Sequence, residues 1–261
     1  NGVGLSYSSP IQVGALTNWK FVASGGNNLA ATKTDGTLWV WGYDAYGQLG
    51  LGTTAYYSSP VQVGSLTNWN QVIFGQDVML ASTTDGKLYA SGSGGYGQLA
   101  ASQSILLGNV FSPVQVGASN TWKQISSSYY HLSSVKTDGT LWAWGQNNYG
   151  QLGNGTTVDY SSPIQIGALT NWRQVACGYG HSAAIKTDGT LWTWGYNIGA
   201  LGNGTTTSYS SPIQIGALTN WNQVFCSGNG THVYNTLGVA YVTGFNQYGE
   251  IGTATGFLGN V

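Results

Sequence analysis

Short alternations of apolar and polar residues, rather than helical stripes, run the length of this chain. From Ser112 to Trp144 four β-prone runs follow one another: Ser112–Val116 (SPVQV), Trp122–Ser126 (WKQIS), His131–Lys136 (HLSSVK) and Thr140–Trp144 (TLWAW). None sustains the 3.6-residue apolar period of an amphipathic helix, so helix is expected to be scarce. In TLWAW, Leu141 and Ala143 face one side of a strand while Trp142 and Trp144 face the other. Both sides are apolar, so both faces of the sheet need cover. Asp138–Gly139 joins the last two runs, where Gly tolerates the positive φ of a tight hairpin turn.

This pattern recurs. The block Lys136–Gly153, KTDGTLWAWGQNNYGQLG, returns as KTDGTLWVWGYDAYGQLG from Lys33 and as KTDGTLWTWGYNIGALG from Lys186. More divergent copies begin at Thr83 and Asn235. A Ser-Pro block precedes each copy, and the prolines Pro10, Pro60, Pro113, Pro163 and Pro212 mark a period of about 50 residues. The chain thus divides into five tandem units, approximately 1–57, 58–110, 111–160, 161–209 and 210–261. A radial stack of small sheets covers both faces of each, so the expected fold is an all-β propeller of about five four-stranded blades. The Leu of each Gly-Gln-Leu-Gly turn should plug between sheets.

The pattern TDGTLWxWGxNxxGQLGxGTT, preceded by a strand ending in VxxGxxH, resembles the regulator-of-chromosome-condensation repeat family across all five units. The resemblance implies a propeller, typically of seven blades, whereas five units are present here. Either five units close a small ring, or they form an arc that needs further units from itself or a partner. The closed ring is favoured. The family's founding member promotes nucleotide exchange on a small nuclear GTPase and binds chromatin, but the charged contacts and basic tail behind those roles are missing. A bacterial relative inhibits β-lactamase, so inhibition of an enzyme stands as one alternative function.

Composition narrows the field further. Only 6% of the residues are charged, against roughly 25% in an ordinary soluble domain, and the formal net charge is −1. Such a chain cannot neutralise a row of phosphates, which argues against nucleic acid as a partner. No apolar run approaches 18 residues, so membrane insertion is not expected. The first residue, Asn1, fits a processed product and an excerpt equally. Cys177 and Cys226 hold equivalent places in successive units and read as buried thiols rather than a disulfide.

No catalytic residues, metal site or cofactor are indicated. Four of the seven Asp (Asp35, Asp85, Asp138, Asp188) belong to the hairpin turns, and no carboxylate pair has an informative spacing. His131 and His181 are equivalent positions one unit apart, which favours structural hydrogen bonds over metal ligation. Asn154, Asn203 and Asn229 each start an Asn-Gly-Thr triplet, a glycosylation pattern that is also plain turn chemistry.

What varies between the units is their tips. Tyr43, Tyr46, Tyr149, Tyr196 and Tyr248 lie on these tips and are candidate binding residues, since Tyr and Asn on loops suit adaptable recognition. The second unit carries an insertion, Ala101–Phe111, with Ile105, Leu106 and Leu107 in a surface loop. These three either contact another chain or fold back over the blade edge. The resulting expectation is a non-catalytic structural or interaction module, displayed extracellularly or on a virion surface, that engages a protein partner or assembly. A carbohydrate-binding propeller is the alternative, for which an exposed Trp would be the sign. An open edge would instead lead to homo-oligomers.

Overall fold

The structure is a computed structural model that describes residues 8–100, 108–247 and 251. Those residues form nineteen strands and no helix. Five antiparallel sheets result. The first joins β1 (Trp19–Ser24), β2 (Asn28–Lys33), β3 (Leu38–Gly42) and β4 (Tyr57–Gln62). The second joins β5 (Trp69–Phe74), β6 (Val78–Thr83), β7 (Leu88–Ser93) and β8 (Asn109–Gln115). The third joins β9 (Trp122–Ser127), β10 (His131–Lys136), β11 (Leu141–Gly145) and β12 (Tyr160–Gln165). The fourth joins β13 (Trp172–Cys177), β14 (His181–Lys186), β15 (Leu191–Gly195) and β16 (Tyr209–Gln214). The fifth has three strands among the described residues, β17 (Trp221–Ser227), β18 (Gly230–Asn235) and β19 (Ala240–Gly244).

The Ser-Pro runs around Pro60, Pro113, Pro163 and Pro212 pair backwards, each onto the last hairpin strand of the preceding copy. In the third sheet Trp142 lies opposite Gln165, and Ala143 opposite Ile164. Every four-stranded sheet therefore straddles two copies of the repeat. The position also suits the proline, because this fourth strand is a sheet edge.

The described residues fall into two compact units. One holds the first two sheets. The other holds the remaining three and takes in Tyr96–Gln98. In the first, Ala30, Leu38 and Val40 pack with Leu49, Trp69 and Val72. In the second, Val135, Leu141 and Ala143 pack with Trp172, Val175 and Trp194, and Ile185 and Leu191 pack with Trp221 and Val224. The tip leucines Leu49, Leu99, Leu152 and Leu201 are all buried, as plugs should be. Trp144 and Trp194 are fully buried. Hiding one indole removes about 200 Å² from water, about 5 kcal/mol before entropy is counted.

The residues of Asp-Gly-Thr-Leu-Trp act as one hydrogen-bonded chain. Asp138 Oδ1 accepts from the Thr140 amide at 3.0 Å and from its hydroxyl at 2.7 Å. Thr140 Oγ1 in turn accepts from the Trp142 indole N–H at 2.8 Å. The same links recur at Asp35–Thr37–Trp39 and Asp188–Thr190–Trp192. These hydrogen bonds hold the three carboxyls below the usual carboxylate range.

The glycine of the turn has a second task. Gly139 has φ +78°, and a Cβ there would lie 2.1 Å from the Thr170 carbonyl oxygen in the loop that enters the fourth sheet. Its own carbonyl accepts from the Trp172 amide at 3.0 Å. Gly139→Ala should therefore destabilise the protein by about 3 kcal/mol in urea unfolding, combining backbone strain with a backbone clash. Gly167→Ala, at φ +63° with nothing within 4 Å, should cost about 1 kcal/mol. Equal losses would show that the close approach at Gly139 carries no special weight.

Candidate functional site

The tips are built from the inside outward. Asn147 is fully buried. Its Oδ1 accepts from the Leu152 amide at 2.9 Å, and its Nδ2 donates to the carbonyls of Thr156 at 3.0 Å and Val158 at 2.9 Å. Next to it, Gln151 Oε1 accepts from the Tyr149 amide at 2.9 Å. Gln98 holds Tyr96, and Gln48 holds Tyr46, in the same way. The carbonyls of Gln98 and Gln151 accept from the indoles of Trp144 and Trp194. Each tip glutamine thus anchors the tip to the core while its side chain fixes a tyrosine whose ring remains exposed.

In the three-sheet unit the tips meet the turns between the first and second strands. Tyr196 N–H donates to the Gly180 carbonyl and Gln146 N–H to the Tyr130 carbonyl. Tyrosine rings consequently gather there. Tyr96 lies 4.6 Å from Tyr130, Tyr130 lies 6.1 Å from Tyr129, and Tyr129 lies 4.7 Å edge-on to Tyr179. Tyr149 lies 4.6 Å from Tyr196. Where the third sheet has Tyr130, the fourth has Gly180, and a Cβ there would press within 3.1 Å of Tyr149 and 3.2 Å of Tyr196. Tyr96, Tyr129, Tyr149 and Tyr179 are each about 40% exposed, so this is an aromatic surface that presents phenol groups.

Of the candidate residues, Tyr149 and Tyr196 are brought together here. Tyr43 and Tyr46 belong to the two-sheet unit, where Tyr43 stacks on Tyr56 at 5.1 Å and lies 6.4 Å from Tyr46. Ile105, Leu106, Leu107 and Tyr248 lie outside the described residues. Sequence reasoning overlooked Tyr96, a tip residue of the second unit, and the turn residues Tyr129, Tyr130 and Tyr179. The signal of the three turn residues was present in Ser-Tyr-Tyr-His and Gly-Tyr-Gly-His, short turns in which the aromatic precedes the repeat histidine.

The remaining chemistry is structural. His131 Nε2 meets Ser182 Oγ at 3.0 Å, and His181 Nε2 meets Thr231 Oγ1 at 3.0 Å. Burial pushes these imidazoles down to about 3 and about 4. Both cysteines are free, and burial pushes the Cys177 thiol up to about 11, far from a reactive thiolate. Asn154 and Asn203 spend their Oδ1 atoms on the amides and hydroxyls of Thr156 and Thr205, which is turn chemistry. Among the described residues no three His, Cys, Asp or Glu side chains gather as a metal site. No helix there is long and apolar enough to cross a membrane. None of the eleven Trp is among the exposed hydrophobics. Two clefts of about 340 and 320 Å³, lined at equivalent positions by Val63, Trp69 and Pro113 and by Ile166, Trp172 and Pro212, belong to the repeat itself.

A family model described as the RCC1-like domain matches residues 6–257. The ultraviolet-B receptor UVR8 of Arabidopsis thaliana is 30% identical over 144 residues, covering 55% of this chain and 33% of the receptor. Human WBSCR16 aligns over 90% of this chain and 63% of its own, with TM-score 0.80 and 24% identity. Prp20p of Saccharomyces cerevisiae, a structure described with binding to Gsp1p and histones, aligns over 90% of this chain and 58% of its own, with TM-score 0.73 and 21% identity. The chain therefore spans a third of the receptor's length and about three fifths of these structural neighbours.

One tip departs from the others in its chemistry. Asp44 takes the place of Asn147, fully buried, its Oδ1 accepting from the Leu49 amide at 2.8 Å and its Oδ2 unpartnered. Burial pushes its pKa up to about 6, opposed by that hydrogen bond. A carboxyl whose folded pKa is raised stabilises the fold fully below its unfolded value near 4 and loses that contribution as pH rises through 6. Asp44→Asn should therefore be more stable than the parent by about 1 kcal/mol at pH 7 and no more stable at pH 4. Urea unfolding at the two pH values checks this, and a pH-independent difference would refute the assignment.

Proposed function

The chain belongs to the RCC1-like domain family, and from that premise we propose that it is a non-catalytic module that recognises a protein through its row of tyrosines. The observation that carries this reading is the cluster Tyr96, Tyr130, Tyr129 and Tyr179, with the pair Tyr149 and Tyr196 beside it at Gly180. Tyrosine offers large contact area, little rotamer entropy to lose and a hydrogen-bonding tip, the properties that make it common in protein-binding loops. The polar scaffold beneath, from Asn147 and Gln151, holds the backbone that carries Tyr149, which lowers the ordering cost on association. The low charge of the chain supports display outside a cell, on a cell or virion surface. It also favours an uncharged partner surface over an acidic or basic one. The lack of an exposed Trp weighs against stacking of sugars on indoles.

The test is selection from a displayed peptide library against the intact chain and against Tyr129→Ser/Tyr149→Ser/Tyr179→Ser. The three rings are exposed, so the variant should fold with unchanged circular dichroism. Selected peptides should bind the parent and lose at least tenfold in affinity for the variant. Peptides that bind both equally would place recognition elsewhere, and binding confined to a glycan array would replace a protein ligand by a carbohydrate.

A further inference from the structure

The clefts at the second and fourth sheets hold equivalent places in the repeat but differ in chemistry. The first, of about 340 Å³, is walled by Val63, Leu66, Trp69, Tyr89 and Pro113. The second, of about 320 Å³, has Ile166, Leu169, Trp172, Trp192 and Pro212 at those positions, and Lys186 joins its lining. Thr83 stands in the second sheet where Lys186 stands in the fourth, and its hydroxyl donates to the Lys87 carbonyl at 3.3 Å. Each cleft lies wholly within one compact unit. Of the two, only the fourth-sheet cleft sets a cation among apolar walls.

Lys186 is 5% exposed, and its ammonium lacks the partners that burial of a charge demands. Nζ sits 3.5 Å from the Trp192 ring centroid and 4.8 Å from that of Trp172. These rings offer faces but no lone pairs, while an ammonium has three N–H donors to place. Among the described residues the one ion pair joins Lys87 to Asp85, and Lys186 Nζ makes no hydrogen bond there. Asp188, the nearest acid in sequence, turns its Oδ1 to Thr190 instead. Burial lowers the Lys186 pKa, opposed by the Asp188 charge, so the lost hydration is replaced only in part. The indole N–H of Trp172 is also buried without a partner, but so is that of Trp69 in the other cleft. The ammonium is therefore what sets the two clefts apart.

We propose that the fourth-sheet cleft binds a small carboxylate with an apolar body, the carboxylate accepting from Lys186 and the body lying against Ile166, Leu169 and Pro212. The volume falls at the lower end of the range for small-molecule sites, about 300 to 1,000 Å³. Charge selects the head group. Lys186 is the one charged residue in the lining, so it matches a monoanion, whereas a phosphate dianion would bring a charge that no second cation meets. A carboxylate oxygen also supplies the acceptor that the ammonium lacks, in a charge-assisted hydrogen bond that the apolar walls strengthen. Leu169 is 48% exposed and forms the rim, which leaves the cleft open to a ligand from solution.

Benzoate, phenylacetate and hexanoate are each titrated into the full chain beside their neutral primary amides, with binding read by ligand-observed NMR. At least one acid should bind at least tenfold more tightly than its amide. Lys186→Met should abolish that preference. Leu169→Glu, which sets a like charge at the rim, should weaken the acid at least tenfold. Leu66→Glu, at the equivalent exposed rim of the second-sheet cleft, should leave acid binding unchanged. The two rim variants decide the outcome even if Lys186→Met fails to fold. Failure of all three acids to bind, equal binding of acid and amide, or equal losses from the two rim changes would each overturn the proposal.

Discussion

Each sheet of this protein is apolar on both faces, and that constraint governs the rest. A strand such as Leu141–Gly145 turns Leu141 and Ala143 into one core and Trp142 and Trp144 to the other side, so a sheet left alone would expose a hydrophobic face whichever way it lay. Stacking like sheets is the solution that a repeated sequence can supply, since within each compact unit equivalent residues meet from one sheet to the next. The join is controlled where Gly139 lets the Thr170 carbonyl approach and receives the Trp172 amide. Gln124 and Gln174 then satisfy the edge amides and carbonyls of the following sheet. Packing and hydrogen bonding therefore demand the same spacing.

The repeat signature is explained by its side-chain chemistry. Lys136 Nζ sits 3.7 Å from the Trp142 ring centroid and 4.5 Å from that of Trp122, and Lys33 and Lys186 occupy the same slot. Each contact between cation and ring contributes about 1 kcal/mol. Where the third-strand Trp becomes Tyr89 or Tyr241, the lysine has become Thr83 or Asn235. The cation and the indole leave together, as expected if the ring's electrostatics are what make a largely buried ammonium tolerable.

Exposed tip side chains are separated from the buried scaffold by the same construction. The inner ends of the tips carry Asn147, Gln151 and Leu152, which are buried and hydrogen-bonded or packed. Their outer ends carry Tyr149 and its neighbours, free to change without disturbing a core. The two buried histidines also belong to the scaffold, because their folded pKa values lie below the unfolded value of 6.5. Stability from keeping them neutral is complete above pH 6.5 and is lost as pH falls below it.

The all-β class, the five-fold repeat, the Asp-Gly hairpins, the plug leucines and the structural role of His131 and His181 can be read from the order of the residues alone. Each of these depends on local spacing or on equivalence between copies, and both are visible in one dimension. That Tyr149 and Tyr196 stand at blade tips was legible for the same reason. Their association with Tyr129, Tyr130 and Tyr179 was decided only by the fold, because it follows from hydrogen bonds such as Tyr196 to Gly180 that bring separate turns together. The backward pairing of Ser161–Gln165 onto Leu141–Gly145 was likewise a tertiary matter. A strand's alternation says that it needs a partner and a face to cover, while the choice of partner rests on which edge the chain reaches once the preceding hairpin has formed.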